Sequence, residues 1–89
     1  MSDSAFKALS DPTRRAILAL LKKRPRTVNE IVEKFAISQP AISRHLAVLR
    51  AAGLVSATRD GQSITYALDT TVMMDVVRAL MTLYGGKGN

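Results

Sequence analysis

Residues 38–55 read SQPAISRHLAVLRAAGLV, and the reading of this stretch decides the fold. Ser38 has the chemistry of a helix N-cap, Gln39 and Pro40 suit a first helical turn, and Gly53 suits the position that stops a helix after Ala52. Within the predicted helix, Ile42, Leu46 and Leu49 recur at the spacing of one buried face. The other positions carry Gln39, Ser43, Arg44, His45 and Arg50, more polar chemistry than a solvated face requires. Gln39, Ser43 and Arg50 are read as lying opposite the buried stripe, with Arg44 and His45 on its flanks. Ala41 and Ala47 are small enough to permit close approach to a partner.

Upstream, TVNEIVEKF (27–35) opens with Thr27 and Glu30 at capping-box spacing, and Val28, Ile31, Val32 and Phe35 supply a buried face. Only Ala36 and Ile37 then separate this predicted helix from Ser38, so the two form a helix-turn-helix candidate. Further back, SDPTRRAILALLKKR predicts a helix capped by Asp11, with Pro12 in its first turn, Ile17, Leu18 and Leu21 as its apolar stripe, and an end near Arg24 before Pro25. SAFKAL (4–9) gives a short leading helix with Phe6 and Leu9 on its apolar side. Downstream the pattern changes. LVSATR and QSITYAL are rich in β-branched residues and flank Asp60 and Gly61, a dipeptide favoured in type I′ hairpin turns. TTVMMDVVRALMTLY predicts a last helix capped by Thr70 or Thr71, and GGKGN is read as a flexible tail. The fold class is mainly α with a small β-hairpin: a winged helix-turn-helix of about five helices and a two-stranded wing. One domain is expected over residues 1–84, followed by the tail at 85–89.

The formal charge is +6 over 89 residues, and its distribution is uneven. From Arg14 to Arg59 there are ten Lys/Arg against Glu30 and Glu33, a local +8, while the flanks set Lys7, Arg78 and Lys87 against five aspartates, a local −2. A clustered positive field favours a polyanion through counterion release, which makes nucleic acid the leading partner and an anionic membrane surface the second. Gln can pair bidentately with adenine and Arg with guanine in a major groove that admits a helix, while Ser or His hydrogen-bond more permissively or hold phosphate. The hairpin after this helix is a wing, and its tip offers Arg59 and Gln62 to a flanking minor groove or to phosphate. The DNA-binding set read from the sequence is therefore Ser38, Gln39, Ser43, Arg44, His45, Arg50, Arg59 and Gln62. Base reading falls to Gln39, Ser43 and Arg44, and anchoring to His45, Arg50 and Arg59.

Taken in order, FKALSDPTRRAILALL, ISQPAISRHLAVLRAAGLV and RDGQSITYAL resemble blocks of the ArsR/SmtB-type winged helix-turn-helix repressors of bacteria, in a form close to the SdpR-like autorepressor branch. The resemblance covers roughly residues 5–84. It implies a homodimeric transcriptional repressor acting on a palindromic operator near its own or a neighbouring promoter. It also implies that Gln39, Ser43, Arg44 and His45 are recognition-helix positions and Arg59 a wing position. Many relatives sense metals through cysteines or Asp/His/Glu clusters. This chain has no cysteine, its one histidine is on the proposed DNA face, and Asp69 and Asp75 are six apart and diverge on a helix, so no metal site and no cofactor are expected unless a dimer interface completes one.

No glycine-rich phosphate loop and no Ser/His/acid constellation is present, so an enzyme is not expected. With no cysteine there are no disulfides, the N-terminus lacks a signal-peptide pattern, and the apolar runs fall short of the ~20 residues that span a bilayer, so a soluble cytoplasmic chain is expected. On the last helix Asp75, Arg78 and Thr82 mark a narrow polar face, and Val72, Met73, Val76, Val77, Leu80, Met81, Leu83 and Tyr84 cover the rest. That arc is wider than one small domain needs, which assigns Phe6, Leu9, Met73, Val76, Val77, Leu80, Met81 and Tyr84 to a dimer interface. Three readings of function remain: a dimeric DNA-binding repressor, an activator or architectural DNA binder, and a winged-helix module that binds protein without DNA. The last predicts acidic or apolar residues on the recognition face. The releasing signal, whether small molecule, protein partner or concentration alone, is not written in the sequence.

Overall fold

Capping side chains start three of the helices where the sequence places them. In the computed structural model, which describes residues 3–85, helix α1 spans Asp3–Leu9 and α2 spans Pro12–Lys23. Asp11 caps α2, its Oδ2 accepting the Arg14 N–H at 3.0 Å. A short strand β1 (Arg26–Thr27) leads into α3 (Val28–Val32), which opens with the complete capping box: Glu30 N–H donates to Thr27 Oγ1 at 3.2 Å and Thr27 N–H to Glu30 Oε1 at 2.9 Å. Helix α4 (Gln39–Ala51) is capped by Ser38, whose Oγ accepts the Ala41 N–H at 3.3 Å. Strands β2 (Val55–Asp60) and β3 (Ser63–Leu68) and helix α5 (Thr70–Gly85) complete the chain.

Helix α4 ends in a Schellman turn: Gly53 N–H donates to Arg50 O and Leu54 N–H to Leu49 O, both at 3.0 Å. Gly53 adopts φ +79°, the left-handed conformation this turn requires. A Cβ at Gly53 would lie 2.9 Å from Cγ2 of Val72, so the end of α4 fits closely against the first turn of α5. The core gathers Ile17, Leu18 and Leu21 from α2, Ile31 from α3, Ile42, Leu46 and Leu49 from α4, and Leu54 and Val55 from the start of the wing.

Five features differ from the sequence reading. The sheet has three strands in the order β1-β3-β2, all antiparallel, because Arg26 and Thr27 pair with Tyr66 and Thr65. Two residues are too short a segment to carry an alternation signal. The hairpin loop is Gly61–Gln62, not Asp60–Gly61: Asp60 pairs with Ser63, and Gly61 takes a left-handed φ of +64°. Helix α3 stops at Val32, which leaves residues 33–37 as a turn and keeps only Ile31 of its apolar residues fully buried. The cap of α5 is Asp69, whose Oδ1 accepts the Thr71 N–H at 3.0 Å; a carboxylate one residue earlier displaces the threonines from that role. Finally, α5 continues to Gly85, so the first residue of the expected tail is helical, and residues 86–89 lie outside the described residues.

Candidate nucleic-acid interface

Part of the central positive charge serves the fold. Arg14 Nε donates to Ala8 O at 2.8 Å and its Nη2 to Lys7 O at 3.1 Å, while Arg15 Nη1 donates to Leu9 O at 2.8 Å. These guanidiniums occupy the carbonyls that end α1, the groups a helix leaves unpaired. Arg24 pairs with Glu30 at 3.4 Å, and Arg26 is buried on the sheet edge, its Nε without a hydrogen-bond partner. The exposed cations left between α2 and the wing are Lys22, Lys23, Lys34, Arg44, Arg50 and Arg59.

On α4 the buried stripe is as the sequence predicts, with Ile42, Leu46 and Leu49 fully inaccessible. The facing of the polar residues needs correction. At 100° per residue, Gln39, Ser43 and Arg50 stand roughly 50–95° round from the stripe on one side, and Arg44 is the residue opposite it. Gln39 and Ser43 accordingly turn toward the wing, where they line a cleft of about 380 Å³ together with Thr27, Val28 and Asn29 at the start of α3 and Gln62, Ser63, Ile64 and Tyr66 of the hairpin. Ser38, Gln39, Ser43, Arg44, Arg50, Arg59 and Gln62 are all exposed.

His45 occupies the other flank and is half-buried against α2. Its Nδ1 lies 3.3 Å from Arg14 Nη1 and 3.9 Å from Asp11 Oδ2. His45 thus joins the recognition helix to the cap of α2, a contact that residue spacing does not reveal. The Arg14 N–H bond to the Asp11 carboxylate, aided by the charges of His45 and Arg14, holds Asp11 below its ordinary pKa of 3.8 against the opposing effect of burial. Glu30 is likewise held below 4.5, first by the Thr27 N–H and then by Arg24.

The cleft brings together Gln39, Ser43 and Gln62, which the sequence reading named, with Asn29, Ser63 and Tyr66, which it missed. The missed residues come from β1–α3 and from β3, and only the unforeseen β1–β3 pairing carries the start of α3 to the hairpin. Register places Arg59 opposite Ile64 and Ala57 opposite Tyr66, so Arg59 shares the sheet face of Ile64 and Tyr66 near the tip. Among the described residues no three of His, Asp and Glu come together as a metal site, and no helix is long and apolar enough to cross a membrane.

A helix-turn-helix whose second helix exposes Gln, Ser and Arg beside a basic-tipped hairpin defines a winged helix-turn-helix of the DNA-reading class. Comparison with known proteins narrows the class: a family model for the bacterial regulatory proteins of the arsR family matches residues 11–57. The chain is 48% identical over 79 residues to the transcriptional repressor SdpR of Bacillus subtilis, covering 89% of this chain and 88% of that protein. It is 35% identical over 79 residues to the transcriptional activator HlyU of Vibrio cholerae, covering 89% and 73%. An ArsR-like transcriptional regulator from Rhodococcus sp. RHA1 has the same fold, with a TM-score of 0.84 and 32% identity over 90% of this chain and 73% of that one. The chain belongs to the arsR family of bacterial regulatory proteins, and it is a transcriptional regulator, not an enzyme.

Proposed function

We propose that this DNA-binding transcriptional repressor acts in the cytoplasm as a homodimer on a near-palindromic operator at its own or a neighbouring promoter, without a metal effector. The observation that supports DNA contact is the exposed Gln39, Ser43 and Arg44 of α4 beside a hairpin that carries Arg59. A protein-binding winged helix would present acidic or apolar groups there. Repression is favoured over activation by the likeness to SdpR, at 48% identity, against 35% to the activator HlyU. Independence from metals is supported by the absence of cysteine and of any cluster of three potential ligands among the described residues.

Support for the dimer comes from α5. Its first half belongs to the domain: Val76 is 3% exposed, and Val72 and Met73 pack on the core, as does Leu9 of α1. Val76 is buried within the monomer and Leu9 and Met73 are partly covered there, so the proposed interface rests chiefly on the residues that remain exposed. The second half overhangs the domain. Leu80 and Leu83 continue the inward line of Val72 and Val76, yet they are 49% and 82% exposed, and Tyr84 is 93% exposed. Phe6, Met74, Val77 and Met81 extend the uncovered apolar surface. A second copy related by a two-fold axis would cover it and set two recognition helices about 34 Å apart, one turn of B-DNA.

Analytical ultracentrifugation at micromolar concentration tests the assembly, and sequencing of DNA recovered with the purified chain tests the target. The expected results are a dimer that Val77→Glu or Leu80→Glu converts to monomer, and an enriched near-palindrome that only the dimer binds tightly. A 9.6 kDa monomer for the unaltered chain would refute the assembly.

A further inference from the structure

The cleft between α4 and the wing has an unusual chemistry for a surface so rich in charge. No carboxylate and no cation lines it. Asn29, Gln39, Ser43, Gln62 and Tyr66 line it, and the side chain of none of them makes a hydrogen bond within the described chain. Tyr66 is half-buried, its ring packed against the core. A group of neutral donors kept free of internal partners, beside a rim that carries Arg59, suits an acceptor supplied from outside.

The geometry of a duplex identifies that acceptor. If α4 lies in a major groove and the hairpin reaches the adjoining minor groove, the two elements are separated by the one sugar-phosphate strand that bounds both grooves. That strand has to cross the space between them, which is this cleft. We infer that the cleft is a seat for the DNA backbone, in which the Asn29 amide and the Tyr66 hydroxyl donate to phosphate oxygens. This inference rests on the DNA-binding reading. Gln39 and Ser43, on the α4 wall, stay directed at base edges, while the α3 and β3 walls set how deeply the helix enters the groove.

Neutral donors have a signature that separates them from arginines. Counterion release depends on the number of cations brought to the phosphates, so losing a neutral contact lowers affinity at every salt concentration and leaves the salt slope unchanged. Tyr66→Phe removes only the hydroxyl and keeps the packed ring; Asn29→Ala removes the amide from an exposed position. Each is expected to weaken binding about threefold per half-site, hence about tenfold for a dimer on two half-sites, equally on operator and scrambled duplexes. Fluorescence anisotropy across a salt series with both duplexes, with urea midpoints measured in parallel, supplies the test. The inference stands if both variants lose affinity with unchanged salt slope, unchanged operator-to-scrambled ratio and unchanged urea midpoint, while Arg59→Ala reduces the slope. It is overturned if both variants bind as the unaltered chain does, if the ratio changes, or if the loss follows a lowered midpoint. Failure of the unaltered chain to bind duplex DNA at all would instead refute the DNA-binding reading itself.

Discussion

Replacing Gly53 with alanine should destabilise the chain by an amount that separates into two parts. At φ +79°, an L-residue is in the left-handed region, which costs about 1–2 kcal/mol. A less flexible unfolded chain offsets about 0.4–1 kcal/mol of that. The new Cβ would also stand 2.9 Å from Val72 Cγ2, a branched side chain with little χ1 freedom in the first turn of α5, and displacing it adds about 1 kcal/mol. The sum is about 2 kcal/mol. Gly61→Ala is the internal control, because its φ of +64° carries the same backbone strain while nothing lies within 4 Å of its Cβ; it should cost about 1 kcal/mol or less. Urea unfolding of both variants at one protein concentration measures the difference, since dimerisation would make stability depend on concentration. In thermal melts the Gly53→Ala loss corresponds to roughly 8–16 °C. Adding Val72→Ala should reduce the penalty of Gly53→Ala relative to its own background, as a double-mutant cycle would record. If Gly53→Ala is no worse than Gly61→Ala, the close fit between α4 and α5 does not limit stability and the reasoning fails.

Gln39→Ala or Arg44→Ala should cost about 1–3 kcal/mol on the operator and relax sequence preference, whereas Arg59→Ala should weaken operator and scrambled duplexes alike; an unchanged operator-to-scrambled ratio in both α4 variants would remove them from base reading. Asp11 and Glu30 titrate below their ordinary values in the folded chain, so their contribution is present above those values and is lost as pH falls through the lower folded ones. The urea midpoint should therefore hold above about pH 5 and decline below it, less steeply in Asp11→Asn/Glu30→Gln; parallel declines would contradict this assignment. Micromolar zinc, cadmium or arsenite, or EDTA, should leave operator affinity unchanged, and a reproducible tenfold shift with one metal would show an effector site.

The parts of the fold legible in the sequence are those set by neighbours a few residues apart. Asp11, Thr27 and Ser38 cap as their spacing predicts, and the stripe Ile42–Leu46–Leu49 is buried as its period requires. What escaped depends on distant segments. Strand β1 exists only because β3 pairs with it, and His45 turns toward Asp11 and Arg14 from a preceding helix. The basic run around Arg14 and Arg15 looked like part of the polyanion-binding field, but a sequence does not show that α1 ends within reach of both guanidiniums. The same limit applies to α5. Its broad apolar arc is visible in the residues, whereas the point at which the helix leaves the domain, between Val76 and Leu80, is set by the length of everything it packs against.

The order β1-β3-β2 has a mechanical consequence. The helix-turn-helix segment, from Val28 to Ala51, enters directly from β1 and leaves through a short turn into β2, and both of these strands are bonded to β3. The reading helix and the wing are thus hinged to one central rib at two points, which removes most of the freedom either would have to swing against the other. In the proposed dimer, the remaining soft coordinate is the angle and spacing between two such rigid blades. A signal that detaches this repressor from DNA would then have to act where the blades are joined, along α5 and α1, and would leave each DNA-reading surface internally unchanged.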